Sequence, residues 1–196
     1  MDGFQVLLES LSNYIDLTDR EKALIVSRLR YEKVKKKEIL LRTGAVATQK
    51  MFMLNGILRQ YIVNDEGIEH TSIFAVKGWW FSDIDSFVNE APAKFCIETM
   101  VDSEIIFLSK QDLDDLYLRI PKLNVFFREL YQRAVSAKDE RILNMLCSKA
   151  EERYEQFLRR YPNLEGKIPQ YHIASYLGVT PEFFSRMKSQ RSKTVL

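Results

Sequence analysis

The stretch IPQYHIASYLGVTPEFFSRM, residues 168–187, contains two short helical patterns separated by one glycine. Pro169 suits the first turn of a helix, where its missing N–H costs nothing. Gly178 can take the left-handed backbone that ends a helix. Thr180 can cap the next helix, with Pro181 at its first position. The stretch therefore predicts a helix-turn-helix, a motif whose second helix enters the major groove of DNA.

The spacing of small and apolar residues in the same stretch supports two crossing helices. Ile173 and Leu177 lie one helical turn apart, and Phe184 and Met187 share one face of the second helix. Ala174 is small, which allows the two helices to cross closely. An αα-hairpin without a DNA role meets the same steric demands. Only the residues on the outward face of the second helix can distinguish such a hairpin from a helix-turn-helix that binds DNA.

Side chains on that outward face are suited to reading DNA bases. Arg186 can donate to O6 and N7 of guanine, Glu182 can accept from N4 of cytosine, and Phe183 can touch a thymine methyl group. Glu182 and Arg186 are also four residues apart and can pair with each other in the free protein. The predicted base contacts are Glu182, Phe183, Ser185 and Arg186, and the predicted phosphate contacts are Gln170, Tyr171, Thr180, Lys188 and Arg191.

The positive charge of the chain is local. The net charge is only +2 over 196 residues, which excludes a uniformly basic coat for nucleic acid. Between residues 167 and 196, however, five basic side chains accompany a single acidic one. A surface that faces phosphates requires this kind of clustering.

The cysteines and histidines exclude several other classes of protein. Cys96 and Cys147 are the only cysteines and form no CxxC pair, so we interpret them as buried free thiols, too few for an iron–sulfur cluster. With only His70 and His172, neither a cupin-type metal site nor a Ser/His/Asp arrangement is credible, and we predict no metal and no enzyme activity. No run approaches the ~20 apolar residues of a membrane span. We expect a cytoplasmic protein.

Upstream of residue 110 the pattern changes from helical to β-prone. Residues 4–30 are predicted to be helical, with a second helix that opens at Thr18, where Thr18 and Glu21 form a capping box. Residues 31–109 then contain short runs rich in Ile, Val, Phe and Tyr, punctuated by glycines at gaps of 12, 11 and 11. Evenly spaced glycine turns predict an antiparallel sandwich, barrel or roll, and so an α+β protein.

A long helix is predicted from residue 122 to about residue 147. Its apolar residues repeat at 4, 3, 4 and 3, which is typical of a heptad seam between two helices, and we predict a homodimer. The seam residues are Leu123, Phe127, Leu130, Ala134 and Ala137. The alternative is that this stripe packs on its own domain. After Ala137 the apolar residues move to a shifted face with Ile142, Leu143 and Leu146.

With this order of parts, the chain resembles the Crp/Fnr superfamily of bacterial transcription regulators. The matching segments are MFMLNGILRQYIVNDEG, GWWFSDIDSF, the long helix after Pro121, and IASYLGVTPEFFSR. The resemblance covers nearly the whole chain. It implies a cyclic-nucleotide-binding-like double-stranded β-roll, jelly-roll-like, over residues 1–120, a dimerising helix over 121–147, and a helix-turn-helix domain over 148–196. It also implies a homodimer that binds double-stranded DNA, with RNA polymerase as a further partner and no membrane.

The resemblance also suggests where an effector would bind. Members that bind cyclic nucleotides carry a Gly-Glu pair for the ribose and an Arg-Ser pair for the phosphate. The matching positions here are Ser82, Asp83, Ala93 and Lys94, with Lys138 and Asp139 at the positions that face the base. Asp83 could accept from a ribose hydroxyl, but Ala93 cannot replace an arginine fork. We therefore expect no binding of cyclic AMP, and another effector or none remains open.

Two further branches of the family require cofactors that this sequence does not support. The redox branch needs cysteines near the N-terminus, which are absent, and the haem branch needs an axial ligand, for which His70 is the only candidate in the roll. We interpret His70 as an ordinary strand residue and expect no iron–sulfur cluster and no haem. The short segment after Met187 leaves little room for a β-hairpin wing. The alternative function is a small-molecule sensor or protein-interaction module that does not bind DNA.

Overall fold

The computed structural model describes residues 3–194, with side chains described up to residue 190. The helices are α1 (Gly3–Ser12), α2 (Asp19–Val26), α3 (Ile84–Asn89), α4 (Lys110–Arg119), α5 (Lys122–Cys147), α6 (Ala150–Arg160), α7 (Gln170–Leu177) and α8 (Pro181–Thr194). The strands are β1 (Arg30–Val34), β2 (Ile39–Leu41), β3 (Gln49–Asn55), β4 (Leu58–Val63), β5 (Glu69–Ala75), β6 (Trp80–Phe81), β7 (Cys96–Thr99) and β8 (Ser103–Ser109). The predicted order of helices, strands and helices is confirmed.

The strands form two four-stranded sheets, with orders β1-β8-β3-β6 and β2-β7-β4-β5. In the first sheet β3 runs antiparallel to β8, with Met51 opposite Phe107 and Phe52 opposite Ile106. Both strands are buried over most of their length, because the long apolar side chains of each are covered on both faces. This arrangement confirms the predicted β-roll and the α+β class.

Gly56, which follows β3, shows why glycine is required at one of the predicted turns. Its φ is +103°, a backbone conformation that side-chain-bearing residues rarely adopt. A Cβ atom at this position would lie 2.7 Å from the Cα atom of Ser103, at the start of β8. The turn therefore depends on both the positive φ and the close approach of two backbones.

The N-terminal segment differs in extent from its prediction. The second helix opens at Thr18 as predicted, with the capping box to Glu21, but it ends at Val26 and residue 30 already belongs to β1. The Glu21 carboxylate also accepts a bond from Nζ of Lys122 at 2.8 Å. That bond, followed by the backbone N–H of Thr18, lowers the pKa of Glu21 to about 2. The start of α5 is thereby tied to the cap of α2.

One short helix inside the roll was not predicted. α3 follows Asp83, whose Oδ1 accepts from the backbone N–H of Ser86 at 3.3 Å. Six residues are too few to produce a helical period in sequence, which is why the sequence predicts only β structure and turns in this region. The thiols also differ from their prediction, because Cys96 is only half-buried and Cys147 is exposed.

The described chain forms two compact units. The first runs to Gln60 and resumes from Phe74 to Ala134, and the second comprises Tyr61–Ile73 and the chain from Val135 onward. The boundary between the units falls within α5, and the tip of the β4–β5 hairpin belongs to the second unit. The division into residues 1–120, 121–147 and 148–196 stays a prediction.

A buried lysine lies among aromatic rings in the first unit. Lys50 on β3 is only 2 % exposed, and its Nζ lies 4.9 Å from the ring of Phe87, 5.5 Å from that of Phe127 and 4.7 Å from that of Tyr131. Among the described residues it makes no ion pair that would offset the loss of water. Burial lowers the pKa of the Lys50 ammonium from 10.5 to about 7.

The depressed pKa predicts a rise of stability with pH. Below pH 7 the lysine is protonated in both the folded and the unfolded chain. Between pH 7 and 10.5 the unfolded chain binds a proton that the folded chain does not, so the free energy of unfolding increases with pH. We expect Lys50→Met to raise this free energy by up to about 4 kcal/mol at pH 7, with the gain disappearing towards pH 10. Urea unfolding at pH 6, 8 and 10 measures it.

The exposed Lys77 supplies a matched control, because Lys77→Met removes a similar charge without relieving any burial. Its stability curve is expected to run parallel to that of the wild type. A curve for Lys50→Met that also runs parallel to the wild type would contradict the depressed pKa.

Candidate nucleic-acid interface

The first helix of the candidate interface, α7, is defined by local sequence rules. It begins after Pro169 and ends at Gly178, which has φ +69° and a left-handed backbone. The N–H groups of Gly178 and Val179 donate to carbonyl groups of the last turn, at 3.2 Å to Ser175 and 3.1 Å to Ala174. The turn between the two helices is therefore closed by backbone bonds that glycine permits.

The second helix, α8, begins with the predicted cap. The hydroxyl of Thr180 accepts from the N–H of Phe183 at 3.2 Å, and its carbonyl accepts from the N–H of Phe184 at 3.0 Å. The side chain of Phe184 is fully buried and meets the ring of Tyr154 on α6 edge to face at 5.2 Å. Met187 is buried one turn further on. These contacts fix which side of α8 faces inward.

The opposite side of α8 is exposed and holds the four predicted base contacts, Glu182, Phe183, Ser185 and Arg186. Arg186 makes no hydrogen bond or salt bridge with any described residue, so its guanidinium is available. Glu182 accepts from its own N–H and from the Thr180 side chain, and these bonds lower its pKa more than the charge of Arg186 does. The expected pairing of Glu182 with Arg186 is thus a weak attraction, because the carboxylate turns back to the helix end.

The predicted phosphate contacts fall into three groups. Gln170 and Tyr171 are exposed at the start of α7, and Thr180 is exposed while its hydroxyl caps α8. Lys188 is half-buried and forms an ion pair with Glu165 at 2.5 Å, so it is already engaged within its own unit. The side chain of Arg191 lies outside the described residues.

Arginines and a serine that sequence reasoning missed hold α7 in place. Ser175 Oγ donates to the carbonyl of Glu69 at 2.8 Å and accepts from the N–H of Thr71 at 2.9 Å. Arg141 Nη2 donates to the carbonyl groups of Thr71 at 3.2 Å and Tyr176 at 2.9 Å. Hydrogen bonds from the hairpin tip and from α5 therefore both hold α7 in position.

Arg153 on α6 forms a hydrogen bond to the C-terminal end of α7. Its Nε donates to the carbonyl of Leu177 at 3.0 Å, and its Nη1 donates to the carbonyl of Ser148 at 2.6 Å. The last carbonyls of a helix lack partners within it, so these bonds satisfy groups that would otherwise be unpaired. No periodic pattern in sequence marks such residues, because their partners are backbone carbonyl groups and carry no side-chain signature.

Two of the five predicted seam residues on α5 are covered by their own chain. Leu123 and Phe127 are buried in the first unit, where Phe127 meets the rings of Trp80 at 5.3 Å and Tyr117 at 5.8 Å. The remaining predicted seam residues, Leu130, Ala134 and Ala137, are half-buried on the same side. Leu123 and Phe127 are therefore unavailable to a partner, because the core of their own unit covers them.

A different face of α5 exposes its apolar side chains. These residues are Val135, Ile142, Leu143 and Leu146. Val135 and Ile142 are seven residues apart, and Ile142 and Leu146 are four apart, which is the spacing of a two-helix seam. This is the shifted face on which the apolar pattern continues after Ala137.

The predicted effector positions in the roll are occupied by local contacts. Ser82 Oγ donates to the carbonyl of Gln49 at 3.1 Å, and Asp83 caps α3 through one carboxylate oxygen while the other is buried without a hydrogen bond. Ala93 is buried, and its N–H donates to the carbonyl of Ala45 at 2.8 Å. Lys94 is exposed and pairs with Asp85 at 3.2 Å.

The other two predicted effector positions, Lys138 and Asp139, are exposed on the part of α5 that belongs to the second unit. Across residues 3–194, no group of three His, Cys, Asp or Glu side chains is placed to hold a metal ion. None of the helices in that range is both long enough and apolar enough to span a membrane.

Comparison with known proteins identifies the roll and relates most of the chain to regulators. Residues 31–119 match the cyclic nucleotide-binding domain. Proteins named Anaerobic regulatory protein from Aggregatibacter actinomycetemcomitans and Pasteurella multocida are each 26 % identical over 177 residues, 84 % of this chain. The chain spans 67 % and 63 % of their respective lengths.

A solved structure supports the same relationship at the level of fold. A putative transcriptional regulator of the Crp/Fnr family from Eubacterium rectale is 24 % identical, with a TM-score of 0.69, covering 89 % of this chain and 85 % of that one. A roll followed by a long helix and a closing helix pair is what the resemblance implied from sequence. Over most of its length the chain is therefore similar in sequence to bacterial regulatory proteins, and similar in fold to a regulator of the Crp/Fnr family.

Proposed function

We propose that the protein is a homodimeric, cytoplasmic regulator that places α8 in the major groove of double-stranded DNA. The observation that carries this proposal is the two-sided character of α8. Phe184 and Met187 are buried beneath the helix, while Arg186 is exposed without a hydrogen bond to any described residue. A helix that is fixed on one side and free on the other can enter a groove without unfolding.

Base recognition is assigned to the exposed side of α8. Arg186 has five N–H donors, and two of them match O6 and N7 of guanine. Phe183 is partly exposed and offers an apolar surface to a thymine methyl group, and Ser185 can bond to several bases. Glu182 would have to turn away from the helix end to accept from cytosine, so we expect it to contribute less than Arg186.

Phosphate contacts would fix the position of α8 without specifying sequence. Gln170, Tyr171 and Thr180 are exposed and can serve directly. Lys188 could reach a phosphate only by exchanging its bond with Glu165 for a bond to DNA. Arg191 is assigned to phosphate from its sequence position alone.

Dimerisation would bring two such helices to successive half-sites about 34 Å apart. The exposed stripe of Val135, Ile142, Leu143 and Leu146 is suited to this role, because a seam of apolar side chains is stabilised when a second helix removes it from water. RNA polymerase is proposed as a further partner from the resemblance to the Crp/Fnr superfamily alone. We therefore propose the exposed stripe of α5 as the seam, rather than the stripe that contains Leu123 and Phe127.

We also propose that the roll does not bind cyclic AMP and that the protein uses no haem or iron–sulfur cofactor. The buried Ala93 offers no fork for a cyclic phosphate, and the Lys94 ammonium is paired with Asp85. A phosphate anion that is buried without a paired cation loses its hydration, and this desolvation costs on the order of several kcal/mol of binding free energy.

DNA binding should depend strongly on Arg186. A duplex selected from a random pool should bind Arg186→Ala with about tenfold to a hundredfold lower affinity, since a bidentate base contact contributes about 1–3 kcal/mol. Fluorescence anisotropy at two salt concentrations measures the affinity and its salt slope. Arg42→Ala removes an exposed charge from the first unit and should bind like the wild type. If the wild-type protein bound no duplex even at low salt, the sensor or protein-interaction alternative would replace this proposal.

The exposed stripe of α5 should hold the dimer together. Ile142 is 57 % exposed, so Ile142→Glu should leave the monomer folded while placing two carboxylates in the seam, and sedimentation should then show a monomer. Leu118 on α4 is 83 % exposed, and Leu118→Glu should remain dimeric. A dimer that persists in Ile142→Glu would place the seam elsewhere.

Cyclic AMP should produce no binding heat when titrated into the full chain by calorimetry. Ala93→Arg introduces a guanidinium at this position and should bind cyclic AMP more tightly than the wild type. Micromolar affinity in the wild-type protein would show that another cation neutralises the phosphate.

A further inference from the structure

The second unit contains a basic cleft of about 340 Å³ that lies between the C-terminal half of α5, α6 and the end of α7. Four arginines line it: Arg141, Arg153, Arg159 and Arg160. Glu140 is the one carboxylate among its lining residues. None of the predicted effector positions lines this cleft, although Lys138 and Asp139 lie between its lining residues Ala137 and Glu140 in sequence. Base recognition by α8 does not use it.

Three arginines of the cleft, Arg141, Arg153 and Arg159, retain hydrogen-bond donors that the described part of the chain does not use. Arg141 bonds to carbonyls through Nη2, which leaves its Nη1 and Nε groups. Arg153 uses Nε and Nη1, which leaves Nη2. Arg159 is exposed and makes no hydrogen bond or salt bridge with the described part of the chain. Each guanidinium carries five N–H donors, so an anion in the cleft would find several partners.

Charge in the cleft is unbalanced. Four guanidinium groups and one carboxylate surround a small volume, and like charges at short range repel each other. An anion that enters such a concave surface meets a focused positive potential. Its binding would therefore relieve repulsion as well as form bonds.

We propose that this cleft binds a small phosphate ester of nucleotide size. Arginine forks match the oxygens of phosphate, and the volume lies within the range of small-molecule sites. Ala137, Met145 and Leu177 supply an apolar wall beside the arginines, which suits an organic group attached to the phosphate. Inorganic phosphate alone would leave this wall unused.

A ligand in the cleft would affect the proposed DNA-binding helices through hydrogen bonds to their backbone. Arg141 and Arg153 donate to the carbonyls of Tyr176 and Leu177, the two residues directly before the Gly178 turn. An anion that draws either guanidinium towards itself would weaken one of these bonds and alter the support of the turn that leads into α8. This coupling rests on the proposed DNA binding, whereas the site itself does not.

Calorimetry on the full chain tests the site, with inorganic pyrophosphate, AMP and ADP as probes. ADP should bind at least several-fold more tightly than pyrophosphate. Arg159→Gln should weaken ADP binding by about tenfold or more, since a hydrogen bond to a charged group contributes about 1.5–3 kcal/mol. Glu140→Gln should strengthen it by roughly threefold, because it removes the repelling carboxylate. Arg42→Gln, which alters an exposed arginine of the first unit, should bind like the wild type.

Three results would overturn the site. These are absence of binding for every probe at millimolar concentration, equal ADP affinity in Arg159→Gln and the wild type, and an equal loss in Arg42→Gln and Arg159→Gln. Equal affinity for pyrophosphate and ADP would contradict the use of the apolar wall. The opposite signs expected for Arg159→Gln and Glu140→Gln distinguish a local site from general unfolding, which would weaken binding in both.

The coupling has a separate measurement. ADP should shift the affinity of the wild-type protein for its selected duplex and should shift that of Arg159→Gln much less. If ADP binds but leaves the DNA affinity unchanged, the coupling fails while the site stands. If no duplex binds at all, the failure belongs to the proposed DNA binding, and the calorimetric result is unaffected.

Discussion

The burial of Phe184 is the contact on which the functional surface of this protein depends. An α-helix can rotate about its axis unless a side chain fixes it, and Phe184 does so by meeting Tyr154 edge to face. With Phe184 and Met187 inward, the 3.6-residue period places Arg186 on the outside. Truncation of Phe184 to alanine would leave a cavity and lower the free energy of unfolding by about 3–5 kcal/mol. It would also remove the contact that keeps Arg186 on the exposed side of α8.

The turn before α8 is held by groups that have a second possible use. Arg141 and Arg153 satisfy carbonyls that the end of α7 leaves unpaired, and both also line the basic cleft. A buried or half-buried bond to a charged donor contributes roughly 1.5–3 kcal/mol. An anion that competes for the same donors can therefore weaken a hydrogen bond whose free energy is comparable to that of a single base contact. A change of this size is enough to alter the affinity for DNA measurably.

Sequence predicted the parts of this structure that depend on near neighbours. The Thr18 capping box, the Gly178 turn and the inward pair of Phe184 and Met187 follow from spacing and residue type. The side of α5 available to a partner did not, because a heptad shows which face is apolar but not what covers it, and Phe127 is covered by its own unit. Lys50 and Arg141 were missed because their surroundings come from distant segments of the chain.

Two features of the chain bear on where a signal could enter. In the roll, the arginine fork expected at Ala93 is replaced by a buried methyl group, and Lys94 is neutralised by Asp85. In the second unit, four arginines face a cleft beside the carbonyls that precede α8. Since an anion is held by the cations that surround it, the second unit is the better host for a phosphate ligand. A ligand there would act on the turn directly, without any change in the roll.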